Sequence, residues 1–282
     1  MSVMIKTEAG DGSYGTENTM ILVIDVGNTN IVIGGMEDDR ILFQARYSTD
    51  RAKTEDEYAL MFMDMFRLEN IHPDEIEGGI ISSVVPELRK VLMLAVRKTT
   101  GKCLMILGPE IETDLEVDME IPGQLGSDQI ADAVAALAKY PTPLLIFDMG
   151  TATTLSVISK DGVYRGGMII PGLKLSVEAL YTKTSLLPRI SLDKPAHLIG
   201  KNTTDCMKAG AIYGNAAMMD GLIERMEEEL GEEATVVATG GLISEIVPYC
   251  KRKIIMDKDL IFYGLQILYR KNKAARERNR QK

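Results

Sequence analysis

Two short segments of the sequence each place an aspartate, a glycine and small hydrogen-bonding residues directly after an apolar run. The first is Asp25-Val-Gly-Asn-Thr-Asn30, and the second is Asp148-Met-Gly-Thr-Ala-Thr-Thr154. Glycine lets the backbone approach an anion closely, and main-chain N–H, Asn and Thr groups donate hydrogen bonds to phosphate oxygens. One such segment is typical of an ordinary turn, but two in equivalent places predict a phosphate-binding site.

The aspartates of these segments need a cation if a polyphosphate is to bind beside them. A carboxylate and a triphosphate repel each other strongly at short range, and Mg²⁺ held between them removes this repulsion. Asp25 and Asp148 therefore predict two cation positions that face one cleft. The sequence contains neither a GxxxxGK[ST] loop nor a GxGxxG turn after a strand, so these two common phosphate-binding devices are excluded.

A third aspartate stands at the predicted start of a helix. Asp128 follows Gly126 and Ser127 and precedes an alanine-rich segment at 130–139. A carboxylate near a helix N-terminus is stabilised in its ionised form, and an ionised aspartate beside a hydroxyl accepts its proton during in-line phosphoryl transfer. The same residues also suit a simple N-cap. The residue types alone leave both interpretations open.

The strands that must position these aspartates occur twice along the chain. Apolar, strand-like runs separated by tight turns lie at 20–24, 31–36 and 41–47, and again at 144–147, 154–158 and 163–170. This pattern predicts an antiparallel meander in each half. Helix and strand patterns that follow each meander predict a mixed sheet covered by helices. We therefore expect an α/β protein with a nucleotide cleft between two modules.

The remaining elements and the module bounds follow from the same patterns. Predicted helices span 54–66, 86–98, 130–139, 172–181, 208–230 and 243–249, a last helix ends the chain, and predicted strands span 79–85, 104–107, 235–238 and 254–256. The first module is expected over residues 20–141, and the second over residues 142–282 with the C-terminal helix. Residues 1–19, rich in Gly, Ser, Thr and acids, are predicted to be a disordered extension.

The composition excludes several other classes of protein. The net charge of −9 argues against nucleic-acid binding, which needs a basic surface. No run approaches the roughly 20 apolar residues of a membrane span. Three widely spaced cysteines without a CxxC pair favour a reducing, cytoplasmic location. His72 and His197 lie in no metal-ligand cluster, so neither a zinc site nor a Ser-His-Asp triad is expected.

Six sequence blocks occur in a fixed order along residues 20–269. They are Asp25-Val-Gly-Asn-Thr-Asn30, Ile81-Ser-Ser-Val-Val-Pro86, Asp148-x-Gly-Thr-Ala-Thr-Thr154, Gly166-Gly-x-x-x-Pro-Gly172, Gly200-Lys-Asn-Thr203 and Thr239-Gly-Gly241. In this combination the chain resembles the type III pantothenate kinases, of the superfamily of acetate and sugar kinases, actin and heat-shock chaperone ATPases. The resemblance implies two tandem ribonuclease H-like modules, and a homodimer with the acceptor pocket near the subunit interface. It also implies ATP-dependent phosphorylation of pantothenate to 4'-phosphopantothenate, the first step of coenzyme A biosynthesis.

The resemblance also implies roles for individual residues. Asp25 would lie near Mg²⁺, Asp148 would bind a monovalent cation, K⁺ or NH₄⁺, and Asp128 would accept the proton of the pantothenate primary hydroxyl. The implied ATP contacts are Asp25, Val26, Gly27, Asn28, Thr29, Asn30, Ile31, Val32 and Thr151. The implied acceptor contacts are Gly126, Ser127, Asp128, Gln129 and Thr203.

Departures from the family pattern cluster around Asp128. The pattern has Arg, Tyr and Asn where this chain has Gln129, Met119 and Asp132. Gln offers a neutral hydrogen bond where Arg offers a charged bidentate fork, a difference of about 1–3 kcal/mol, or roughly tenfold to a hundredfold in substrate binding. Two alternatives therefore stay open: a kinase of the same fold that acts on another small alcohol, and a non-catalytic nucleotide-binding regulatory paralogue.

Overall fold

The first half of the chain folds as a five-stranded mixed sheet. The computed structural model describes residues 19–280, so the extension predicted over residues 1–19 lies, apart from Thr19, outside the described residues. The strands are β1 (Met20–Val26), β2 (Asn30–Glu37), β3 (Arg40–Ser48), β4 (Ile76–Ser83) and β5 (Leu104–Ile106). They lie in the order β3-β2-β1-β4-β5, with an antiparallel β1–β3 meander and β4 and β5 parallel to β1.

The second half repeats this sheet with the same arrangement of strands. Its strands are β6 (Leu144–Met149), β7 (Ala152–Ile158), β8 (Tyr164–Pro171), β9 (Thr235–Thr239) and β10 (Ile255–Met256). They lie in the order β8-β7-β6-β9-β10, with β6, β7 and β8 antiparallel and β9 and β10 parallel to β6. The predicted duplicated α/β fold is confirmed.

Helices cover both sheets. They are α1 (Glu55–Leu68), α2 (Pro86–Thr100), α3 (Ser127–Lys139), α4 (Leu173–Lys183), α5 (Thr203–Leu230), α6 (Ile243–Ile246) and α7 (Leu260–Arg280). α1 begins with the predicted capping box, in which the side chains of Thr54 and Glu57 each accept from the other's backbone N–H. None of the helices within residues 19–280 combines the length and the apolar composition that a membrane span requires.

Two predicted helix bounds are wrong for identifiable reasons. α5 starts at Thr203 rather than at Lys208, because the Asn202 side chain caps it by accepting from the Asp205 N–H at 2.9 Å. α6 ends at Ile246, and the chain continues as a short 3₁₀ turn at Val247–Tyr249. The proline within that turn has no N–H to continue the α-helix.

Alternate residues of the central strands face two different cores. Leu22 of β1 packs under α1 and α2, whereas Val23 faces α7. In the second sheet, Phe147 of β6 packs with α5 and α6, whereas Ile146 faces α3. Each sheet is therefore buried on both faces, which explains why its central strands are continuous apolar runs.

The helices that end the two halves pack against the sheets where the halves meet. α7 packs on β1 and β4 of the first sheet, and α3 packs on β4 of the first sheet and on β6 and β7 of the second. The two helices pack closely at Gly264, where a Cβ would lie 1.9 Å from the Ala131 carbonyl oxygen. The α3–α7 pair thus joins the two halves of the molecule. The module bounds at residues 141 and 142 stay a prediction.

Candidate active site

The two predicted phosphate-binding segments meet at one cavity between the sheets. The cavity has a volume of about 620 Å³. The Thr29 hydroxyl of the first half lies 2.8 Å from the Thr151 hydroxyl of the second. The predicted ATP contacts that line the cavity are Asp25, Gly27, Asn28, Thr29, Asn30, Val32 and Thr151. The side chains of Val26 and Ile31 are instead buried in the first core.

A tight turn that contains a glycine follows both β1 and β6. The Gly27 N–H donates to the Asn30 carbonyl oxygen at 2.9 Å, and the Gly150 N–H donates to the Ala152 carbonyl oxygen at 3.0 Å. A Cβ added to Gly27 would lie 3.2 Å from the Asn30 carbonyl oxygen, so a larger residue would crowd the turn. Turns of this kind expose N–H groups and small polar side chains, which suit a phosphate chain that lies across both.

Asp25 and Asp148 line this cavity from opposite halves. Burial first, and then the negative charge of Asp128, raise the pKa of each carboxyl to about 7. The charge of Asp148 also raises the pKa of Asp25, whereas the Ser82 hydroxyl and the Arg46 charge lower it. The carboxylates therefore destabilise one another in the absence of a cation, and a bound cation would favour their ionised forms.

Asp128 lies in the first turn of α3 and lines the same cavity. Gly126 occupies the N-cap position, so neither Ser127 nor Asp128 is the N-cap residue. The Ser127 hydroxyl instead accepts from the Ser83 N–H at 3.1 Å and lies 3.0 Å from the Ser82 hydroxyl, which fixes the start of α3 to the end of β4. Burial raises the pKa of Asp128, and backbone N–H donors at the helix start oppose this. A partly desolvated carboxylate at a fixed helix start is suited to act as a proton acceptor.

Asp132 lies one turn beyond Asp128 on the same side of α3. The residue is only 4% exposed, and its Oδ1 atom has no hydrogen-bond partner among residues 19–280. Burial, followed by the negative charges of Asp148, Asp128 and Asp25, raises its pKa well above the ordinary value. Asp132 lines the cavity. An unpaired carboxylate oxygen beside three other aspartates fits the binding of a cation or of a hydrogen-bond donor there.

We expect Asp132→Asn to stabilise the protein, and to do so more at alkaline than at acidic pH. The folded-state pKa of Asp132 lies above its ordinary value of 3.8, so the unfolded chain releases this proton first and the free energy of unfolding falls as pH rises. Asn cannot ionise and removes this penalty. Thermal unfolding at pH 8 should show a gain of about 1–3 kcal/mol.

The gain from Asp132→Asn should be smaller at pH 5, because the penalty accumulates as pH rises above the ordinary carboxyl pKa of 3.8, and pH 5 lies closer to that value than pH 8 does. Asp161→Asn, at an exposed turn between β7 and β8, is the matched control and should leave the melting temperature unchanged at both pH values. A melting temperature of Asp132→Asn that falls at pH 8 would contradict the account of this buried carboxyl.

The residues predicted to contact the acceptor are only partly brought together. Gln129 donates from Nε2 to the Tyr164 hydroxyl at 3.3 Å and to the Ser156 hydroxyl at 3.5 Å, and these two hydroxyls lie 3.0 Å apart. Thr203 is exposed in the first turn of α5 and is not part of the cavity wall. Of the predicted acceptor contacts, Asp128 lines the cavity. The roles of the others stay predictions.

Several cavity residues were not assigned to the site by the sequence analysis. They are Gln44 and Arg46 on β3, Thr239 at the end of β9, Gly240 and Gly241 after it, Ser244 on α6, Lys258 and Asp259 just before α7, and Ile261 and Phe262 in its first turn. The Thr-Gly-Gly turn could have been predicted as part of the site, because small residues directly follow an apolar strand. The place of Arg46 could not, because it depends on strand register rather than on a local sequence motif.

The fold and the site together define a class of protein. Two ribonuclease H-like modules enclose a cavity with paired phosphate-suited turns and an aspartate at a helix start, which is the arrangement of an ATP-dependent phosphotransferase.

Two solved structures share the fold. One is a conserved Campylobacter jejuni protein described as a Baf family transcriptional activator, with TM-score 0.56 and 21% identity over 90% of this chain and 100% of that one. The other is (R)-2-hydroxyglutaryl-CoA dehydratase component A from Acidaminococcus fermentans. It has a TM-score of 0.52 and 14% identity, over 88% of this chain and 95% of that one.

Sequence similarity assigns the family within this class. The sequence profile of the family described as type III pantothenate kinase matches residues 21–225. The type III pantothenate kinases of Exiguobacterium sp. and Citrifermentans bemidjiense are 44% and 43% identical to this chain, over 90% of its length and 99% and 100% of their own. The chain therefore belongs to the type III pantothenate kinase family.

Proposed function

We propose that this protein transfers the γ-phosphoryl group of ATP to the primary hydroxyl of pantothenate. The product is 4'-phosphopantothenate, and the reaction is the first step of coenzyme A biosynthesis. The observation that carries the proposal is the single cavity in which the strand-end turns of both halves meet beside Asp128. The names of the relatives at 44% and 43% identity support pantothenate as the acceptor.

The proposed chemistry assigns one role to the turns and another to Asp128. Backbone N–H groups and the hydroxyls of Thr29 and Thr151 hold the phosphates of ATP. The Asp128 carboxylate accepts the proton of the pantothenate hydroxyl as its oxygen bonds to the γ-phosphorus. The bond from that phosphorus to its bridging oxygen breaks, and ADP leaves with the electron pair.

Cations complete the proposed nucleotide site. Among residues 19–280, no three His, Cys, Asp or Glu side chains are grouped to hold a metal ion by themselves. In this proposal Asp25 would hold Mg²⁺ and Asp148 would hold K⁺ or NH₄⁺. The raised pKa values of both carboxyls and the unpaired Asp132 oxygen support a cation here. Cations bound there would neutralise negative charge on the phosphates.

We further propose a cytoplasmic homodimer. Large apolar side chains are exposed on β8, on α4 and in the segment after it: Ile169, Leu175, Leu180, Tyr181, Leu186, Leu198 and Ile199. Exposed apolar surface of this extent supports a protein interface, and Thr203 follows the same segment in the chain. The free cysteines Cys103, Cys206 and Cys250 support a reducing compartment. Sedimentation of the protein as a monomer would contradict the dimer.

A coupled ADP-release assay tests the proposed reaction. We expect ADP release that requires pantothenate and Mg²⁺, and that falls when Na⁺ replaces K⁺ or NH₄⁺ at equal ionic strength. Faster turnover on another small alcohol would contradict the acceptor while leaving the ATP site intact. Nucleotide binding without turnover on any alcohol would support a regulatory paralogue instead.

Gln129 favours a second candidate, a kinase of another small alcohol, because its neutral amide bonds to Tyr164 and Ser156. If pantothenate is the acceptor, Gln129→Arg should lower the KM for pantothenate about tenfold to a hundredfold, since a guanidinium pairs with the substrate carboxylate. Steady-state kinetics measure this. Gln124→Arg adds the same charge at an exposed position outside the cavity wall and should leave KM unchanged. An unchanged KM in Gln129→Arg would count against a carboxylate-bearing acceptor at this position.

A further inference from the structure

Strand register places Arg46 in line with Asp25 on one face of the first sheet. Asp25 of β1 pairs with Val32 of β2, and Val32 pairs with Arg46 of β3. Directly opposed residues of neighbouring strands project to the same face of a sheet, and all three line the cavity. Arg46 therefore belongs to the wall of the nucleotide site, although it is distant from the strand-end turn in the sequence.

The guanidinium of Arg46 is available to a ligand. Arg40, on the same strand, pairs with Glu37 at 2.8 Å, whereas Arg46 makes no ion pair or side-chain hydrogen bond within residues 19–280. Its charge lowers the pKa of Asp25, against the larger effect of burial. An exposed guanidinium presents five N–H donors in a planar fork, which matches the oxygens of a phosphate.

Arg46 also reaches the opposite half of the molecule. Its Nη1 atom lies 3.7 Å from the position that a Cβ would take on Gly241, in the turn after β9. The neighbouring Gly240 has φ of 95°, and a Cβ there would lie 2.6 Å from the Asp148 carboxylate, so this position requires glycine. The Gly240–Gly241 turn therefore lies between Asp148 and Arg46, where the second half faces the first.

We propose that Arg46 binds the terminal phosphates of ATP beside the Gly240–Gly241 turn, so that the nucleotide contacts both halves of the molecule. A guanidinium forms paired, charge-assisted hydrogen bonds with phosphate oxygens. Its charge also stabilises the negative charge that develops on ADP as the bond to the γ-phosphorus breaks. The inference rests on the proposed ATP site and is independent of which alcohol accepts the phosphoryl group.

Isothermal titration calorimetry of Arg46→Gln, with Mg²⁺ and without an acceptor, tests this role. We expect the variant to bind ATP about 10- to 100-fold more weakly than wild type. It should bind AMP with wild-type affinity, because AMP lacks the terminal phosphates. Arg46→Lys should recover only part of the ATP affinity, since an ammonium cannot form the bidentate contact. Arg40→Gln removes an arginine from the same strand outside the cavity wall and should bind both nucleotides as wild type does.

The ratio of ATP affinity to AMP affinity decides the assignment. An ATP-to-AMP affinity ratio equal to that of wild type in Arg46→Gln would overturn the assignment of Arg46. If thermal unfolding shows that this variant does not fold, Arg46→Lys must show a lower ATP-to-AMP affinity ratio than wild type. A wild-type ratio in Arg46→Lys would then overturn the assignment. A wild-type protein that does not bind ATP would overturn the nucleotide site itself. If the wild-type protein binds ATP but does not phosphorylate pantothenate, pantothenate is not the acceptor, and the assignment of Arg46 is unaffected.

Discussion

Replacement of Asp128 by Asn is expected to lower kcat by about 10²- to 10⁴-fold while the KM for ATP stays close to wild type. The amide keeps the size of the carboxyl but cannot accept the substrate proton. The contact between Ser127 and the Ser83 N–H, which fixes the start of α3, is left in place. The loss would therefore lie in the chemical step, which single-turnover kinetics at saturating ATP measure directly.

A charge control separates this loss from a general electrostatic effect. Asp161→Asn removes the same charge at an exposed turn and should turn over at the wild-type rate. Loss of the Asp128 charge should also lower the pKa of Asp25 and of Asp148, since that charge raises both. Nucleotide binding should therefore survive in Asp128→Asn. Wild-type turnover in this variant would remove the general-base role.

Asp25→Asn is expected to have the second large effect, a fall of about 10²- to 10³-fold in kcat/KM for ATP with Mg²⁺. Asp25 lines the cavity at the end of β1, and an amide holds a divalent cation more weakly than a carboxylate does. The Mg²⁺ concentration that gives half-maximal activity should rise. Titration of activity with Mg²⁺ at fixed ATP measures the change.

Asp148→Asn is the matched variant at the equivalent strand end of the second half. Its main effect should be a rise in the K⁺ or NH₄⁺ concentration that gives half-maximal activity, because Asp148 is proposed to bind the monovalent cation. The two titrations should therefore separate the two aspartates. Wild-type dependence on Mg²⁺ in Asp25→Asn and on K⁺ in Asp148→Asn would show that these carboxylates do not hold the cations.

The duplicated sheets could be predicted because their signals are local. Apolar runs, tight turns and the capping box at Thr54 each depend on a few neighbouring residues. The meeting of Asp25 and Asp148 at one cavity followed from equivalent positions in two copies of one module. Both inferences needed only the order of elements along the chain.

The packing of α3 against α7 could not be predicted in the same way. The apolar faces of both helices are evident in the sequence, but they do not specify which sheet or helix each face covers. The close approach of Gly264 to the Ala131 carbonyl oxygen joins residues that are distant in the sequence and is evident only in the structure. Arg46 was missed for a similar reason, since its place in the site is set by pairing through Val32.

The most direct test of the account is a crystal structure with a non-hydrolysable ATP analogue, Mg²⁺ and pantothenate. The triphosphate should lie between the turns after β1 and β6, with a cation beside Asp25. The primary hydroxyl of pantothenate should lie within hydrogen-bond distance of Asp128. A nucleotide bound outside this cavity, or an acceptor hydroxyl out of reach of Asp128, would contradict the proposed phosphoryl transfer.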